Sequence, residues 1–161
     1  MKKIDETGLR ICRMQAAVFE ASASLLNCSS LIFIRRFMNS RVAQRMDLES
    51  FLFEACDVNQ VIEQIEAEFG ASSYGKEKYA GSELYWIGYI YRYWCYTCQK
   101  TSKQVYRIIK PKELRDLYFP YHSLDPAQAI ERILEARGLA ESNMTAKGVE
   151  IMRNAMKKEN A

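Results

Sequence analysis

An aromatic run over residues 85–96 constrains the fold of this chain more than any other segment. It reads YWIGYIYRYWCY, and it holds both of the chain's tryptophans together with many of its tyrosines. So much aromatic area is costly to leave in water. The run therefore marks either the centre of a hydrophobic core or a surface that a partner covers.

The run is compatible with two kinds of secondary structure. In a strand, alternate residues would share one face, which would carry Tyr85, Ile87, Tyr89, Tyr91 and Tyr93. In a helix, spacings of three and four would form a buried seam of Leu84, Ile87, Tyr91, Trp94 and Cys98. The length of the run and its flanks favour the helix, since Ser82 is a suitable N-cap and Glu83 suits the first turn.

The opposite face of this helix would carry a stripe of four residues at spacings of three and four, namely Tyr85, Tyr89, Arg92 and Tyr96. Tyrosine and arginine are enriched at protein interfaces and in their hot spots. The stripe is therefore a candidate partner-binding surface. The alternative is that both faces of the helix are buried within this one chain, because buried aromatic residues are common in cores.

The remaining segments predict an all-α fold, a compact multi-helix bundle of about six to eight helices with short connections. A heptad-like pattern over residues 9–26 predicts a first helix, either a bundle helix or an arm that packs on another subunit. A second apolar stretch, residues 31–46, is open to division at Asn39 and Ser40. Residues 47–56 fit either a short buried strand or a helical turn. The predicted organisation is an N-terminal helix or arm at 1–30, a helical core domain at 31–138 and a polar C-terminal extension at 139–161.

Capping residues and prolines predict where several helices begin and end. A side chain that can accept from the free N–H groups of a first turn, followed three positions later by a glutamine, occurs at three places. Pro111 suits the first turn of a helix, and Pro120 is expected to close that helix. The three predicted capping pairs are Asp57 with Gln60, Thr101 with Gln104 and Asp125 with Gln128.

Charge and cysteine content limit the classes of function. The net charge of +3 is too small to predict a nucleic-acid partner by itself. The N-terminus lacks the apolar stretch of a signal peptide, and no run reaches the length of a membrane span, so no membrane partner is expected. Five widely spread cysteines, an odd number, predict reduced thiols packed as small hydrophobic side chains. Together these features predict a soluble, cytoplasmic protein.

Few residues suggest catalysis or a metal. Cys95 and Cys98 form a CxxC pair, but a zinc site needs four ligands and the sequence has no second pair. Packing is the better interpretation of both thiols. His122 is the only histidine and follows Pro120 closely, where a hydrogen bond within the loop is its simplest role. The sequence has no Walker A loop and no GxGxxG motif, so we expect no enzyme activity, no cofactor and no metal.

A basic segment over residues 100–115 allows a second kind of partner. Glu113 is the only acidic residue within this segment. Two short predicted helices around Lys110 and Pro111 have the order of a helix-turn-helix. Positive charge there would suit contacts with DNA phosphates. The usual turn glycine is missing, and a solvated basic face or a surface for an acidic protein are the alternatives. The candidate nucleic-acid-binding residues are Lys100, Lys103, Arg107, Lys110, Lys112 and Arg115.

A set of short motifs points to a family. They are FMNS (37–40), SYGKEKY (73–79), the aromatic run (85–96), SKQVY (102–106), LRDLY (114–118) and HSLDP (122–126). Through these motifs the chain resembles small bacterial proteins labelled as antitoxins of toxin–antitoxin systems, which are common in gut Firmicutes. The resemblance spans residues 30–137.

The resemblance implies a non-catalytic protein that binds a cognate toxin and occludes its active surface. The stripe of Tyr85, Tyr89, Arg92 and Tyr96 would supply the aromatic and arginine anchors that such an interface needs. Many antitoxins also repress their own operon. In that role the protein would be a DNA-binding transcriptional regulator, and the basic segment would contact the operator DNA. A homodimer is compatible with either role.

Overall fold

The described residues fold as an assembly of α-helices. The structure, a computed structural model, describes residues 1–49 and 56–139, and within these residues it has eight helices and no strand. The helices are α1 (Glu6–Leu25), α2 (Ser30–Met38), α3 (Arg41–Asp47), α4 (Val58–Phe69), α5 (Gly81–Cys98), α6 (Ser102–Ile108), α7 (Pro111–Tyr121) and α8 (Pro126–Ala136). The all-α prediction is thereby confirmed. Across the described residues, every helix is too short or too polar to cross a bilayer.

Two of the predicted capping boxes are confirmed by their hydrogen bonds. The Asp57 carboxylate accepts the N–H of Gln60 at 2.9 Å, and the Gln60 side chain accepts the N–H of Asp57 at 2.8 Å. Thr101 and Gln104 make the same reciprocal pair, at 3.2 and 2.9 Å. The starts of α4 and α6 therefore follow from local sequence.

The division of the second apolar stretch is also confirmed. Helix α2 ends before Asn39, and the Ser40 hydroxyl caps α3 by accepting the N–H of Ala43 at 3.1 Å. The choice between strand and helical turn for residues 47–56 falls largely on residues 50–55, which lie outside the described part of the chain.

Helix α5 lies at the centre of the packing, because α1, α6 and α7 all pack against it. The predicted cap at Ser82 is wrong by two residues. The N-cap is Ala80, whose N–H is accepted by the Glu83 carboxylate at 3.0 Å, so the glutamate side chain does the capping and a capping hydroxyl is not needed.

The predicted seam of α5 is buried over most of its length. Leu84, Ile87, Tyr91 and Trp94 are fully buried, whereas Cys98, at the end of the helix, is only half-buried. Further buried residues lie between the seam positions. A helix that is apolar on all sides occupies the interior of a fold, which explains why α5 has neighbours on several sides.

Helix α1 runs antiparallel to α5 within the same chain. Close to the start of α1, Gly8 lies against the ring of Tyr96 near the end of α5. Near the end of α1, Glu20 lies beside Gly81 at the start of α5. The first helix is therefore part of the bundle, which is the first of the two predicted alternatives.

The closest approach of α1 and α5 is at Gly88. A Cβ atom there would lie 2.8 Å from the Phe19 ring and 3.0 Å from the carbonyl oxygen of Gln15. Phe19 also meets the rings of Phe33 and Phe37 edge to face, with centroids 5.4 and 5.0 Å apart. Because Gly88 has no side chain, Phe19 of α1 can pack directly against α5 while its ring contacts the two phenylalanines of α2.

The loop before α5 is tied to the start of α2. The N–H of Ser29 donates to the carbonyl of Tyr74, and the N–H of Ser30 donates to the carbonyl of Glu77, both at 3.0 Å. These bonds satisfy backbone groups at a helix start that would otherwise lack partners. They also fix the position from which the chain enters α5.

Pro120 does not close α7, contrary to the prediction. The helix continues to Tyr121, and the N–H of His122 bonds to the carbonyl of Tyr118 at 2.8 Å. A proline near the last turn removes one helical hydrogen bond without displacing the residues that follow.

The chain divides into two units, Met1–Ser123 and Leu124–Ala161, and the structure describes the second as far as residue 139. The first contains α1 to α7. In the second, α8 begins at the predicted cap, with the Asp125 carboxylate accepting the N–H of Ala127 at 2.9 Å and Pro126 in the first turn, but the predicted reciprocal pair of Asp125 with Gln128 is not formed.

Candidate functional site

An open aromatic groove runs along the N-terminal half of α5. It has a volume of about 520 Å³ and lies wholly within the Met1–Ser123 unit. It is lined by Glu20, Ser82, Tyr85, Trp86, Tyr89, Tyr118 and His122. Concave surfaces with mostly apolar walls and a few polar groups are typical of binding sites.

Contacts between rings order the walls of this groove. The rings of Tyr85 and Tyr89, one helical turn apart, are nearly parallel with centroids 6.5 Å apart. Trp86 meets Tyr118 edge to face at 5.8 Å, and Tyr118 stacks on His122 at 4.3 Å. Rings held by one another lose little conformational freedom when a ligand binds, so the groove is preorganised.

The groove joins buried rings to accessible ones. Tyr85 is 37% exposed, whereas Trp86 is 9% exposed and forms part of the floor. Next to Tyr118 on α7, Phe119 is 85% exposed. Accessible aromatic side chains beside a concave site are a feature of interaction surfaces.

Glu20 is the sole carboxylate among the described residues that line the groove, and no lysine or arginine lines it. It is exposed, and within the described part of the chain its carboxylate forms no ion pair. The antiparallel packing of α1 on α5 places it beside Gly81. The groove therefore has one accessible negative charge next to aromatic faces.

The polar tips of the groove are hydrogen-bonding groups. Burial raises the pKa of Tyr89, so its hydroxyl stays protonated at neutral pH. Nδ1 of His122 lies 2.7 Å from the carbonyl oxygen of Tyr118 and 3.2 Å from that of Phe119. Because both neighbours are acceptors, we assign a ring proton to Nδ1.

The predicted stripe is divided between two environments. Tyr85 and Tyr89 line the groove, but Arg92 and Tyr96 do not. Arg92 is 1% exposed and Tyr96 is 9% exposed, so the expectation of four residues on one exposed face is wrong for these two. The physical reason is that other parts of the chain cover the C-terminal half of α5 and bond to its polar groups.

Arg92 lies in a buried polar network. Its Nε donates to Gln15 at 2.7 Å, one terminal nitrogen donates to Asp47 at 2.6 Å, and the other donates to Ser102 at 2.8 Å. The Ser102 hydroxyl donates in turn to Asp47 at 2.7 Å. Each guanidinium nitrogen thus has a partner on α1, α3 or α6, and the side chain joins four helices.

Tyr96 holds the N-terminal residues against α5. Its hydroxyl donates to the Asp5 carboxylate at 2.6 Å, and the Lys2 ammonium lies 4.0 Å from its ring centroid. Burial and this hydrogen bond raise the pKa of Tyr96. The same hydrogen bond, followed by one from the N–H of Gly8, lowers the pKa of Asp5.

The thiols near this region are protonated and buried. Burial raises the pKa of Cys95 to about 11 and that of Cys12 to about 12. A neutral thiol is a poor nucleophile and a poor metal ligand. Among the described residues, no cluster of three or more histidine, cysteine or acidic side chains is suited to a metal ion. Packing is the role that the environment of Cys95 supports.

Most of the predicted basic residues are exposed. Lys103 and Arg107 lie one turn apart on α6, and the exposed set is Lys100, Lys103, Arg107, Lys110 and Lys112. Helices α6 and α7 each pack chiefly on α5 and have at most slight contact with each other. They therefore lack the mutual packing of a helix-turn-helix unit.

Arg115, the sixth basic residue, has internal partners. Its guanidinium lies 3.3 Å from the Glu77 carboxylate, 3.2 Å from that of Glu83, and 4.2 Å from the ring centroid of the buried Tyr79. These contacts connect α7 to the loop before α5. They also reach Glu83 in the first turn of α5, and they pair the charge of Arg115 within the chain.

The groove contains five residues that the sequence does not predict as site residues, namely Glu20, Ser82, Trp86, Tyr118 and His122. The concentration of aromatic side chains at the end of α7 is the signal that could have identified Tyr118 and His122. Glu20 has no such signal, because it reaches the groove only through the packing of α1 on α5.

Comparison with protein-family models, with curated proteins and with solved structures found no match for this chain. The functional inference therefore rests on the groove and its chemistry.

Proposed function

We propose that this is a non-catalytic, antitoxin-like protein that binds a cognate toxin through the aromatic groove and so covers the toxin's active surface. The resemblance to antitoxins implies the kind of partner, and the observation that supports a binding surface is the ordered set of rings around Tyr85, Tyr89 and Tyr118 in an open groove. Tyrosine and tryptophan give large contact area at a small loss of side-chain entropy, and they dominate interface hot spots.

The surface around the groove supports the same proposal. A stable interface buries about 800 Å² on each partner, which is more than a groove alone provides. The accessible ring of Phe119 extends the apolar area along α7, and Tyr85 extends it along α5. A toxin segment seated in the groove would cover both rings.

A cytoplasmic location fits this role. The five cysteines all lie within the described residues, and none of these five is part of a disulfide. Free thiols persist in reducing compartments, where a toxin acting on intracellular targets would also have to be met.

The direct test uses the product of the adjacent open reading frame, expressed with and without this protein. We expect co-expression to restore growth and the two chains to purify together. Tyr85→Ala should weaken both effects, whereas Tyr74→Ala, which removes a tyrosine that is 75% exposed on a loop outside the groove, should leave them intact. Growth inhibition that is unchanged by co-expression would overturn the proposal.

DNA binding is the second candidate function, favoured by the five exposed cations of the 100–112 region. Such a surface would contact phosphates and serve the repression of an operon, with α6 providing Lys103 and Arg107. It predicts an affinity for promoter DNA that falls steeply with salt concentration. Reversal of both charges, Lys103→Glu with Arg107→Glu, should abolish binding, and absence of binding at low salt would exclude this function.

A further inference from the structure

We propose that the groove receives an arginine side chain of the partner, with the guanidinium stacked on the Tyr85 and Tyr89 ring faces and paired with the Glu20 carboxylate. This inference rests on the proposed function and specifies the chemistry of the toxin segment that the groove selects. It follows from the charge, the ring geometry and the acceptor groups of the groove.

The charge of the groove favours a cation. Glu20 brings a carboxylate that, within the described chain, is not paired with any lysine or arginine, and no basic side chain lines the groove. The faces of aromatic rings carry partial negative charge, and they attract a cation that lies over them. Carboxylate and rings thus act in the same direction on a positively charged ligand.

The ring geometry favours guanidinium over ammonium. Tyr85 and Tyr89 present nearly parallel rings, with an angle of 24° between their planes. A planar guanidinium can stack on such faces while its edge forms two parallel hydrogen bonds to a carboxylate. An ammonium group is a compact and strongly hydrated point charge, and it uses neither feature fully.

The remaining polar groups of the groove can accept hydrogen bonds from the same ligand. Arginine has five N–H donors, and two of them would pair with Glu20. Ser82, whose hydroxyl can accept a hydrogen bond, and His122 also line the groove. A ligand with many donors and no acceptor therefore matches the groove better than an apolar side chain of similar length.

Arg92 provides a comparison inside the same molecule. Its guanidinium is held by a carboxylate, a hydroxyl and an amide oxygen, from Asp47, Ser102 and Gln15. The groove offers a carboxylate and a hydroxyl of the same kinds, with aromatic faces in addition, and leaves them accessible. The kinds of groups that bind the buried Arg92 are thus also present, and accessible, at the other end of α5.

The test is a titration of the full chain, labelled with ¹⁵N, with N-acetyl-arginine amide and separately with N-acetyl-citrulline amide. Citrulline has nearly the shape of arginine but carries no charge. The two tryptophans make the readout specific, because Trp86 lines the groove and Trp94 is fully buried outside it. We expect the Trp86 indole resonance to move with arginine and not with citrulline, while that of Trp94 stays in place.

Two isosteric variants complete the experiment. Glu20→Gln should weaken arginine binding about fivefold, the effect expected for an accessible ion pair. Glu63→Gln, an exposed glutamate of α4 outside the groove, should leave the binding curve unchanged. Equal responses to arginine and citrulline, or a Glu20→Gln variant that binds arginine as the wild type does, would overturn this inference.

The two proposals fail in different ways. If Tyr85→Ala abolishes neutralisation of the toxin but Glu20→Gln has no effect, the groove binds the toxin without an arginine and only the further inference is overturned. If the groove binds arginine and the toxin is not neutralised, the chemistry of the groove is supported and the antitoxin function is overturned.

Discussion

The two halves of α5 use similar residues in opposite ways. In the N-terminal half, Tyr85 and Tyr89 line an open groove with few internal contacts for their polar groups. In the C-terminal half, Arg92 and Tyr96 bond to carboxylates of the same chain and are almost completely covered. The difference lies in the neighbours. The C-terminal half is enclosed by α1, α3 and α6, while the N-terminal half is left open between α1 and α7.

Residue type and helical spacing do not decide whether a helix face is core or interface. Tyrosine and arginine are suited to both, because each combines apolar area with hydrogen-bonding groups. What decides is whether complementary acceptors are delivered from elsewhere in the chain. At Arg92 they come from Gln15 and Asp47, which are far from it in sequence.

The largest expected effect is on the buried network. Arg92→Met removes one side of a buried ion pair and leaves the Asp47 carboxylate without its cation, so we expect the free energy of unfolding to fall by about 3–5 kcal/mol. Urea denaturation followed by circular dichroism measures this change.

Lys103→Met is the matched control, since it removes an exposed cation from α6 and should change stability by no more than about 0.5 kcal/mol. A loss below about 1 kcal/mol for Arg92→Met would mean that the C-terminal half of α5 does not depend on this network.

The close contact of α1 with α5 should give the next largest effect. A Cβ at Gly88 would meet the Phe19 ring at 2.8 Å and a backbone oxygen at 3.0 Å, so Gly88→Ala is expected to cost about 1–3 kcal/mol despite the better helix propensity of alanine. Gly81→Ala, whose Cβ would meet only the Glu20 side chain at 3.6 Å, should be neutral or slightly stabilising. Thermal unfolding measures this difference, and equal melting temperatures for the two variants would contradict the close packing of α1 on α5 at Gly88.

A smaller, pH-dependent effect is expected at Tyr96. The hydrogen bond from the Tyr96 hydroxyl lowers the pKa of Asp5 in the folded protein below its ordinary value of 3.8. This hydrogen bond therefore stabilises the folded state fully above pH 3.8, and its stabilisation is lost as the pH falls through the lower pKa of the folded state. The difference in unfolding free energy between the wild type and Tyr96→Phe should therefore be constant at neutral pH and shrink in acid. The same difference for Tyr85→Phe should not vary with pH over this range, and a flat profile for Tyr96→Phe would contradict the assignment.

The smallest effect on stability is expected in the groove. Tyr85 is 37% exposed, so Tyr85→Ala should change the free energy of unfolding by no more than about 0.5 kcal/mol. Chemical denaturation beside the wild type measures this directly. A loss of several kcal/mol would show that this half of α5 is held by the same kind of internal contacts as the other half.

The helical character of the chain and the starts of α3, α4 and α6 could be predicted from the sequence because they depend on local interactions. The Asp57 and Gln60 pair and the division at Ser40 are satisfied within one turn of chain. The exposure of each side of α5 could not be predicted in this way. The helix is apolar on all sides, so its pattern does not indicate which side a neighbour covers.

A single polar residue inside an apolar pattern can indicate which side of α5 is buried, which the aromatic run itself does not. Gln15 is a polar residue next to buried apolar positions of α1, and its amide accepts from Arg92 and donates to the carbonyl of Gly88. Such a residue needs a buried polar partner. It could have indicated that one polar group of α5 faces α1, and Arg92 is the charged residue of that run.

We propose that the open half of α5 binds the partner while the closed half holds the fold together. The most direct measurement is the affinity of the adjacent gene's product for purified variants, by isothermal titration calorimetry. We predict that Tyr85→Ala weakens binding about tenfold or more, while Tyr74→Ala and the double charge reversal at Lys103 and Arg107 bind as the wild type does. Unchanged affinity for Tyr85→Ala together with loss of binding on charge reversal would contradict the claim and move the interface to α6.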